Sequence, residues 1–319
     1  MSAGWLAIAA LFAAVTGAND GAAIVASGLR VSLLRPLSAL LVVVGGVLTA
    51  PLIFGTEVAA TLSHRLVAFQ TDGGRLAFAL ALLAALLVVA FLTTTGRPTS
   101  LTVALIGGIA GAGLGYGLPV AWGTVGRVLL FGILSPICAG LAGLVLARLL
   151  HHVPPLSHMP LVTRAGTALG YVLLALAYGA NDGQKMLAVF AIAGNAGGAV
   201  HTGGRTLALI GLCFVAGAAL SLPRLASRLG ADLLRVRPLH AITAQAASAA
   251  AAFGSAVGHA PVSMTQSLTA SLVGAGVSEG SRRVRWRAVS RLAMAWVVTL
   301  PASIAVASAV TAFARAVAG

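Results

Sequence analysis

The sequence is short of charge, and of acidic charge above all. Asp and Glu number six among 319 residues, Lys and Arg twenty, and charged residues make up only 8% of the chain. A soluble domain needs roughly 25% charged residues to cover its surface, so an ordinary aqueous exterior is excluded and lipid is the expected solvent. Cysteine is scarce as well. Cys138 and Cys213 stand inside apolar runs and read as small core residues, too few for a disulfide framework or a thiolate metal site. No cluster of histidines supplies the other soft donor set. Lysine occurs once, at Lys185.

What the chain does have is apolar length. Hydrophobic residues make up 59% of it and the mean hydropathy is +1.01. Leu37–Phe54, Leu76–Leu92, Val128–Leu146, Ala165–Ala177, Thr206–Leu222, Ile242–Val257 and Ala288–Phe313 carry almost no charge. About 20 such residues cross a hydrocarbon core of roughly 30 Å. Met1–Trp5 lacks the basic region of a cleavable signal, so the first apolar run is expected to be retained.

The net charge of +14 is unevenly placed. With ten crossings and the N-terminus outside, the odd-numbered loops hold fourteen of the nineteen arginines. Arg65, Arg75, Arg127, Arg205 and Arg315 are the other five. Cytoplasmic loops are enriched in Arg and Lys, which predicts a multi-pass cell-membrane protein with both termini extracytoplasmic. The basic loops then face lipid headgroups rather than nucleic acid.

The chain also repeats itself. Gly17-Ala18-Asn19-Asp20-Gly21 returns as Gly179-Ala180-Asn181-Asp182-Gly183, 162 residues on. Pro98-Thr99-Ser100-Leu101-Thr102 returns as Pro261-Val262-Ser263-Met264-Thr265 at 163, and Gly111-Ala112-Gly113 as Gly274-Ala275-Gly276 at 163. The expected fold is an all-α polytopic membrane protein of about ten spans. Its halves, 1–155 and 156–319, meet near His151–Pro155. Five crossings per half would invert the second copy, a plan that places a substrate near mid-membrane.

Four of the acids, Glu57, Asp72, Asp232 and Glu279, can sit at helix ends or in loops. Asp20 and Asp182 follow apolar runs. An ionised Asp at mid-bilayer costs roughly 2.5–3.5 kcal/mol on the insertion scale, and such residues usually face a pathway. The glycines and Asn-Asp around each predict a local unwinding that exposes hard oxygen ligands. Asn19, Asp20, Asn181 and Asp182 are therefore candidate Na⁺ ligands or proton carriers. Each Pro-x-Ser-x-Thr opens a glycine-rich apolar run and reads as a half-helix N-terminus inside the membrane, with proline in the first turn. Such ends bind phosphate or sulfate through free amides and the helix dipole. Thr99, Ser100, Thr102, Ser263 and Thr265 belong to this anion set with Asp20 and Asp182. Lys185 could neutralise Asp182, attract the anion or snorkel to the surface; Arg97 is a second candidate cation.

Two carboxylates and a phosphate dianion in one low-dielectric site would repel strongly. Something positive must enter with the anion, Na⁺ or H⁺, and no further cofactor is implied. A carboxylate can accept a hydrogen bond from protonated phosphate but not from sulfate, which makes phosphate the first expectation.

These motifs resemble the inorganic phosphate transporter (PiT) family of Na⁺- or H⁺-coupled symporters over nearly the whole chain. The stretch Ala177–Met186 is similar to the bacterial second signature, and Gly217–Gly230 and His240–Gln245 to segments that follow it. The resemblance implies inverted repeats and phosphate held between paired half-helices. It also implies cations beside the Asn-Asp pairs, with Gln245 as a cation neighbour. Three positions depart from the family pattern: Ala23 stands where Asn is common, and Val103 and Gln266 where a histidine follows each Thr. Sulfate is the runner-up substrate. A passive channel or a non-transporting receptor are the other readings, a hydrolase lacks a nucleophile with its base, and a homodimer is compatible with the sequence.

Overall fold

The computed structural model describes residues 3–29, 35–70, 73–94, 99–152, 159–194, 200, 202–228 and 237–318. Among them the secondary structure is helical, apart from one bridge between Val67 and Val120. Helices close every backbone hydrogen bond within one segment, which lipid demands.

In chain order, α1 is Ala3–Leu29, α2 is Pro36–Phe54, and a short α3 runs from Glu57–Ala60 into Thr61–Arg65. Helix α4 is Gly74–Thr94, α5 Leu101–Tyr116 and α6 Trp122–His151. Helix α7 joins Met159–Tyr178, Gly179–Gly183 and Gln184–Ala193. There follow α8 Gly204–Arg228, α9 Pro238–Val257, α10 Met264–Ser278 and α11 Trp286–Ala318.

Six of these, α1, α2, α4, α6, α8 and α11, are long and apolar enough to cross a membrane. Their outer faces are apolar. On α6, Leu130, Ile133, Leu134, Ile137, Leu141, Val145 and Leu149 form an exposed stripe at helical spacing, a face that water would not tolerate. Cys138 lies on that exposed side and Cys213 is half-buried, so neither is the core residue its apolar neighbours suggest. Polar side chains gather inside instead.

Helices α5 and α10 have 16 and 15 residues. At 1.5 Å per residue each is about 22–24 Å long, less than the hydrocarbon core needs. Small residues let their neighbours close in. Gly107, Gly111 and Gly115 of α5 sit against Leu300, Ile304 and Ser308 of α11 in the same order, so the two run parallel. Helix α10 runs parallel to α6 by the same measure. Ser135 and Ser267 hydrogen-bond at 2.9 Å, and Gly140 and Gly143 lie against Ala270 and Ser271.

The Gly-Ala-Asn-Asp-Gly segments stay helical. The expected unwinding is replaced by one π-helical turn in each, Gly17–Gly21 and Gly179–Gly183. The widened i→i+5 turn absorbs an extra residue without breaking the helix, a feature frequent at functional sites. Glycine is required there by close approach: a β-carbon on Gly17 would overlap the Phe214 carbonyl of α8, and one on Gly179 the Gly46 carbonyl of α2.

Candidate functional site

The π turn of α7 meets the N-terminal tips of α5 and α10 inside the protein, and Asp20 in the π turn of α1 lies within electrostatic range of Asp182 and Lys185 there. Ser100 and Ser263 are the two N-caps, both extended in backbone and both buried. The Ser100 hydroxyl accepts from the Val103 amide at 3.3 Å. That of Ser263 accepts from Gln266 at 3.4 Å. Pro261 stands two residues ahead of its cap, not in the first turn as its motif suggests, because the serine side chain sets where the helix begins. Pro98 and Arg97 lie outside the described residues, as do Asp72 and Asp232. Both tips present first-turn amides that have no acceptor within the helix, together with the positive end of its dipole.

Asp182 is 1% exposed and Asp20 is 3% exposed, and the two lie within electrostatic range of each other and of Lys185. Asp182 Oδ1 accepts from Lys185 Nζ at 2.5 Å. Its Oδ2 makes no hydrogen bond of ordinary geometry, although the first-turn amide of Met264 lies toward the same carboxylate. Lys185 Nζ also donates to Thr102 Oγ1 and to the Val262 carbonyl, each at 2.5 Å. An ammonium has three hydrogens, and these three acceptors use them all. In this conformation Lys185 ties the π turn of α7 to both tips and offers no donor to an anion.

Asn181 adds a second clamp. Its Nδ2 donates to the Ala260 carbonyl at 3.0 Å and its Oδ1 accepts from the Val262 amide at 2.9 Å. Asn19 donates to its neighbour Asp20 Oδ1 at 2.8 Å. Thr265 is half-buried and shares a hydrogen bond with Ser263 at 3.0 Å, leaving a pair of hydroxyls at the α10 tip.

Two residues expected here are placed elsewhere. Thr99 turns its hydroxyl to α11, onto Thr299 and the Ala295 carbonyl, because it stands one residue before the cap, outside the first turn. Gln245 is buried on α9 against Gly170 of α7. Gly170 precedes Asp182 by twelve residues, about 18 Å along a helix, so the register of α9 on α7 keeps Gln245 away from that Asn-Asp pair.

Other residues that the sequence does not single out as ligands join the site. Tyr178 is fully buried, within electrostatic range of both carboxylates, and its hydroxyl has no hydrogen-bond partner. It directly precedes Gly179, inside the stretch that resembles the second signature, and that adjacency was its signal. Gln184 donates to the Ala180 carbonyl at 2.7 Å and accepts from the Ala59 amide at 3.1 Å, fixing α3 to the π turn. Thr61 donates to the His259 carbonyl at 2.8 Å. A cavity of about 750 Å³ between α5, α6, α10 and α11 touches Thr102, Ser263 and Gln266. The rest of its wall is largely apolar, so the polar seat is at the tips.

Away from the tips, Glu279 caps the end of α10 and gathers Arg283 at 2.8 Å, His240 at 3.0 Å and Arg237 at 3.2 Å. Glu57 opens α3 and pairs with Arg65 at 2.6 Å. Both acids stand at helix ends, as expected.

The phosphate transporter family matches this chain over residues 16–168 and again over 157–307. A relative from Mycobacterium leprae, named "Probable low-affinity inorganic phosphate transporter", is 32% identical over 278 residues, 83% of this chain and 65% of that protein. A relative of the same name from Bacillus subtilis is 27% identical over 301 residues, 91% of this chain and 90% of that one. The chain thus spans just under two thirds of the mycobacterial relative's length. A solved structure titled "The sodium-dependent phosphate transporter" matches with a TM-score of 0.81 at 18% identity, over 96% of this chain and 98% of that one; likeness at that identity shows the fold. These proteins are transporters by name, not enzymes. The all-helical, multi-pass membrane architecture and a family match reaching from residue 16 to residue 307 place the chain in the phosphate transporter family.

Proposed function

We propose that this protein carries inorganic phosphate across the cell membrane as a secondary transporter, with Na⁺ or H⁺ moving alongside the anion. One observation carries the reading. Two buried carboxylates, Asp20 and Asp182, share a site with one buried cation, Lys185, and the amide-rich tips of two short helices. With both acids ionised the fixed charge of the described residues is −1, and a phosphate dianion would make it −3. In a low-dielectric interior that sum is prohibitive, so a mobile cation must accompany the anion. Ser100, Thr102, Ser263 and Thr265 would supply hydroxyls to phosphate, and Asn19, Asp20, Asn181 and Asp182 are the candidate cation ligands, the last two engaged by Ala260, Val262 and Lys185 in this conformation. The name of the structural neighbour favours Na⁺.

Packing supports the two-repeat reading, with halves 1–155 and 156–319. Helices α5 and α6 are joined by five residues, 117–121, and so reverse direction. Helix α10 is parallel to α6, so it opposes α5, its counterpart by sequence. An inverted pair of half-helices around one site suits alternating access by rocking of one bundle against another. Ten spans follow if α7 and α9 also cross and the two short helices count as one each. The arginine asymmetry then sets both termini outside, and the exposed apolar faces are compatible with a homodimer.

Sulfate is the second reading, because Val103 and Gln266 depart from the family pattern beside the two anion-binding tips. Uptake of radiolabelled phosphate and sulfate into proteoliposomes under imposed Na⁺ or H⁺ gradients tests both. Phosphate should accumulate only when a cation gradient is present. Uptake indifferent to both gradients would indicate a passive channel, and sulfate accumulation in preference to phosphate would exchange the substrate.

A further inference from the structure

We infer that Lys185 is a tethered cation occupying an alkali-ion site of the second half, so that a mobile coupling ion is left the Asp20 side alone. The assignment of meaning to that ion rests on the transport reading above; the ligand set does not.

The three partners of Lys185 Nζ are oxygens of three kinds: the Asp182 carboxylate, the Thr102 hydroxyl and the Val262 carbonyl. That is a hard-oxygen donor set, the kind an alkali cation takes. A fourth oxygen, Asp182 Oδ2, belongs to the same buried carboxylate and makes no hydrogen bond of ordinary geometry. If the ammonium were removed, four oxygens from α7, α5 and the strand of chain before α10 would remain around one vacated position.

The other roles open to Lys185 fit less well. Direct ligation of the anion needs a free donor, and all three hydrogens are used by protein oxygens. Snorkelling needs a route to the surface, yet the side chain is 4% exposed. Structural pairing with Asp182 alone would not require the other two acceptors.

The first half differs at the matching place. Three residues after Asp182 comes Lys185; three after Asp20 comes Ala23. Ala23 has no charge to offer, and the Asp20 carboxylate receives the Asn19 amide. Among the described residues the site therefore carries one covalently held cation, hydrogen-bonded to Asp182, and one carboxylate, Asp20, without a cation of its own. A lysine cannot leave with substrate, so its charge helps admit the anion in each cycle without being transported. The expected result is one fewer mobile cation per phosphate than two equivalent sites would give.

The test is ion binding to purified protein. Lys185→Ala should bind one more ²²Na⁺ per chain than the unchanged protein. It should also gain a Na⁺-dependent rise in melting temperature beyond any the unchanged protein shows. Adding Asp182→Asn to that variant should remove both gains. Equal Na⁺ binding by Lys185→Ala and the unchanged protein would overturn the assignment. Lys185→Gln guards against a folding defect. A vacated alkali site should be stabilised by saturating Na⁺, so failure of both variants to fold in Na⁺ would also count against it. The readout involves no phosphate. Absence of phosphate uptake in vesicles would therefore sink the transport reading while leaving the gained Na⁺ site standing.

Discussion

The same five residues, Gly-Ala-Asn-Asp-Gly, fold into the same π turn in α1 and α7, yet their side chains are used differently. In α1 the Asn19 amide turns to the neighbouring Asp20. In α7 Asn181 spans to the backbone of Ala260 and Val262, and Asp182 is tied through Lys185 to both helix tips. The stretch of the first half that corresponds to 258–261 includes 95–98, outside the described residues, so the contrast concerns the carboxylates and their cation. It teaches that a duplicated motif can divide its labour: the second copy is cross-linked into the protein, while on the proposal above the first keeps a carboxylate for exchange.

The contrast is broken most severely at Asp182. Asp182→Asn leaves the Lys185 ammonium buried without its counter-charge, and breaking a buried pair in this way costs about 3–5 kcal/mol. Asp20→Asn should cost far less stability while abolishing concentrative phosphate uptake. Thermal melts in detergent, set beside uptake in vesicles, separate the two. Equal loss of stability in both variants would erase the distinction between the halves.

Asn181→Ala comes next. It orphans the Val262 amide and the Ala260 carbonyl, for which a loss of about 1–3 kcal/mol is expected, whereas Asn19→Ala removes only a contact to its neighbour. Melting temperatures of the two variants should differ in that order. The caps are more alike: Ser100→Ala and Ser263→Ala each give up a capping bond, about 0.5–2 kcal/mol. Each should weaken equilibrium phosphate binding, and unchanged affinity in either variant would remove that tip from the anion seat.

The smallest effect concerns the helix-end acids. Burial alone would raise the Glu279 carboxyl, but His240, Arg237 and Arg283 outweigh it and hold the group below its ordinary value of 4.5. The hydrogen bond from Arg65 does the same for exposed Glu57. A lowered carboxyl contributes stability that is present above the unfolded value and lost as pH falls through the folded one. The acid limb of a melting-temperature profile, below about pH 4.5, should therefore flatten in Glu279→Gln. It should change little in Glu57→Gln, whose pair is solvated.

Much of this was legible in the sequence because lipid imposes simple rules. Asp20 and Asp182 stood out as acids in apolar runs, and Ser100 and Ser263 as caps of glycine-rich helices. What stayed hidden depends on register and on which way a side chain leaves its helix. Gln245 looked like a site residue until the packing of α9 on α7 set it opposite Gly170. Thr99 shares its motif with Ser100 but faces α11. Tyr178 lies in the stretch that resembles the second signature, but its place within range of two carboxylates comes from a buried turn of α7. Lys185 was visible as the single lysine, but its three acceptors come from three separate segments, which no local pattern announces.

Equilibrium binding of radiolabelled phosphate to the purified protein, titrated across Na⁺ concentration and pH, probes the linkage between anion and cation most directly. Affinity should rise as Na⁺ or H⁺ is added, and by reciprocity phosphate should tighten the binding of that cation. A phosphate affinity that stayed constant across both titrations would contradict the charge-balanced site.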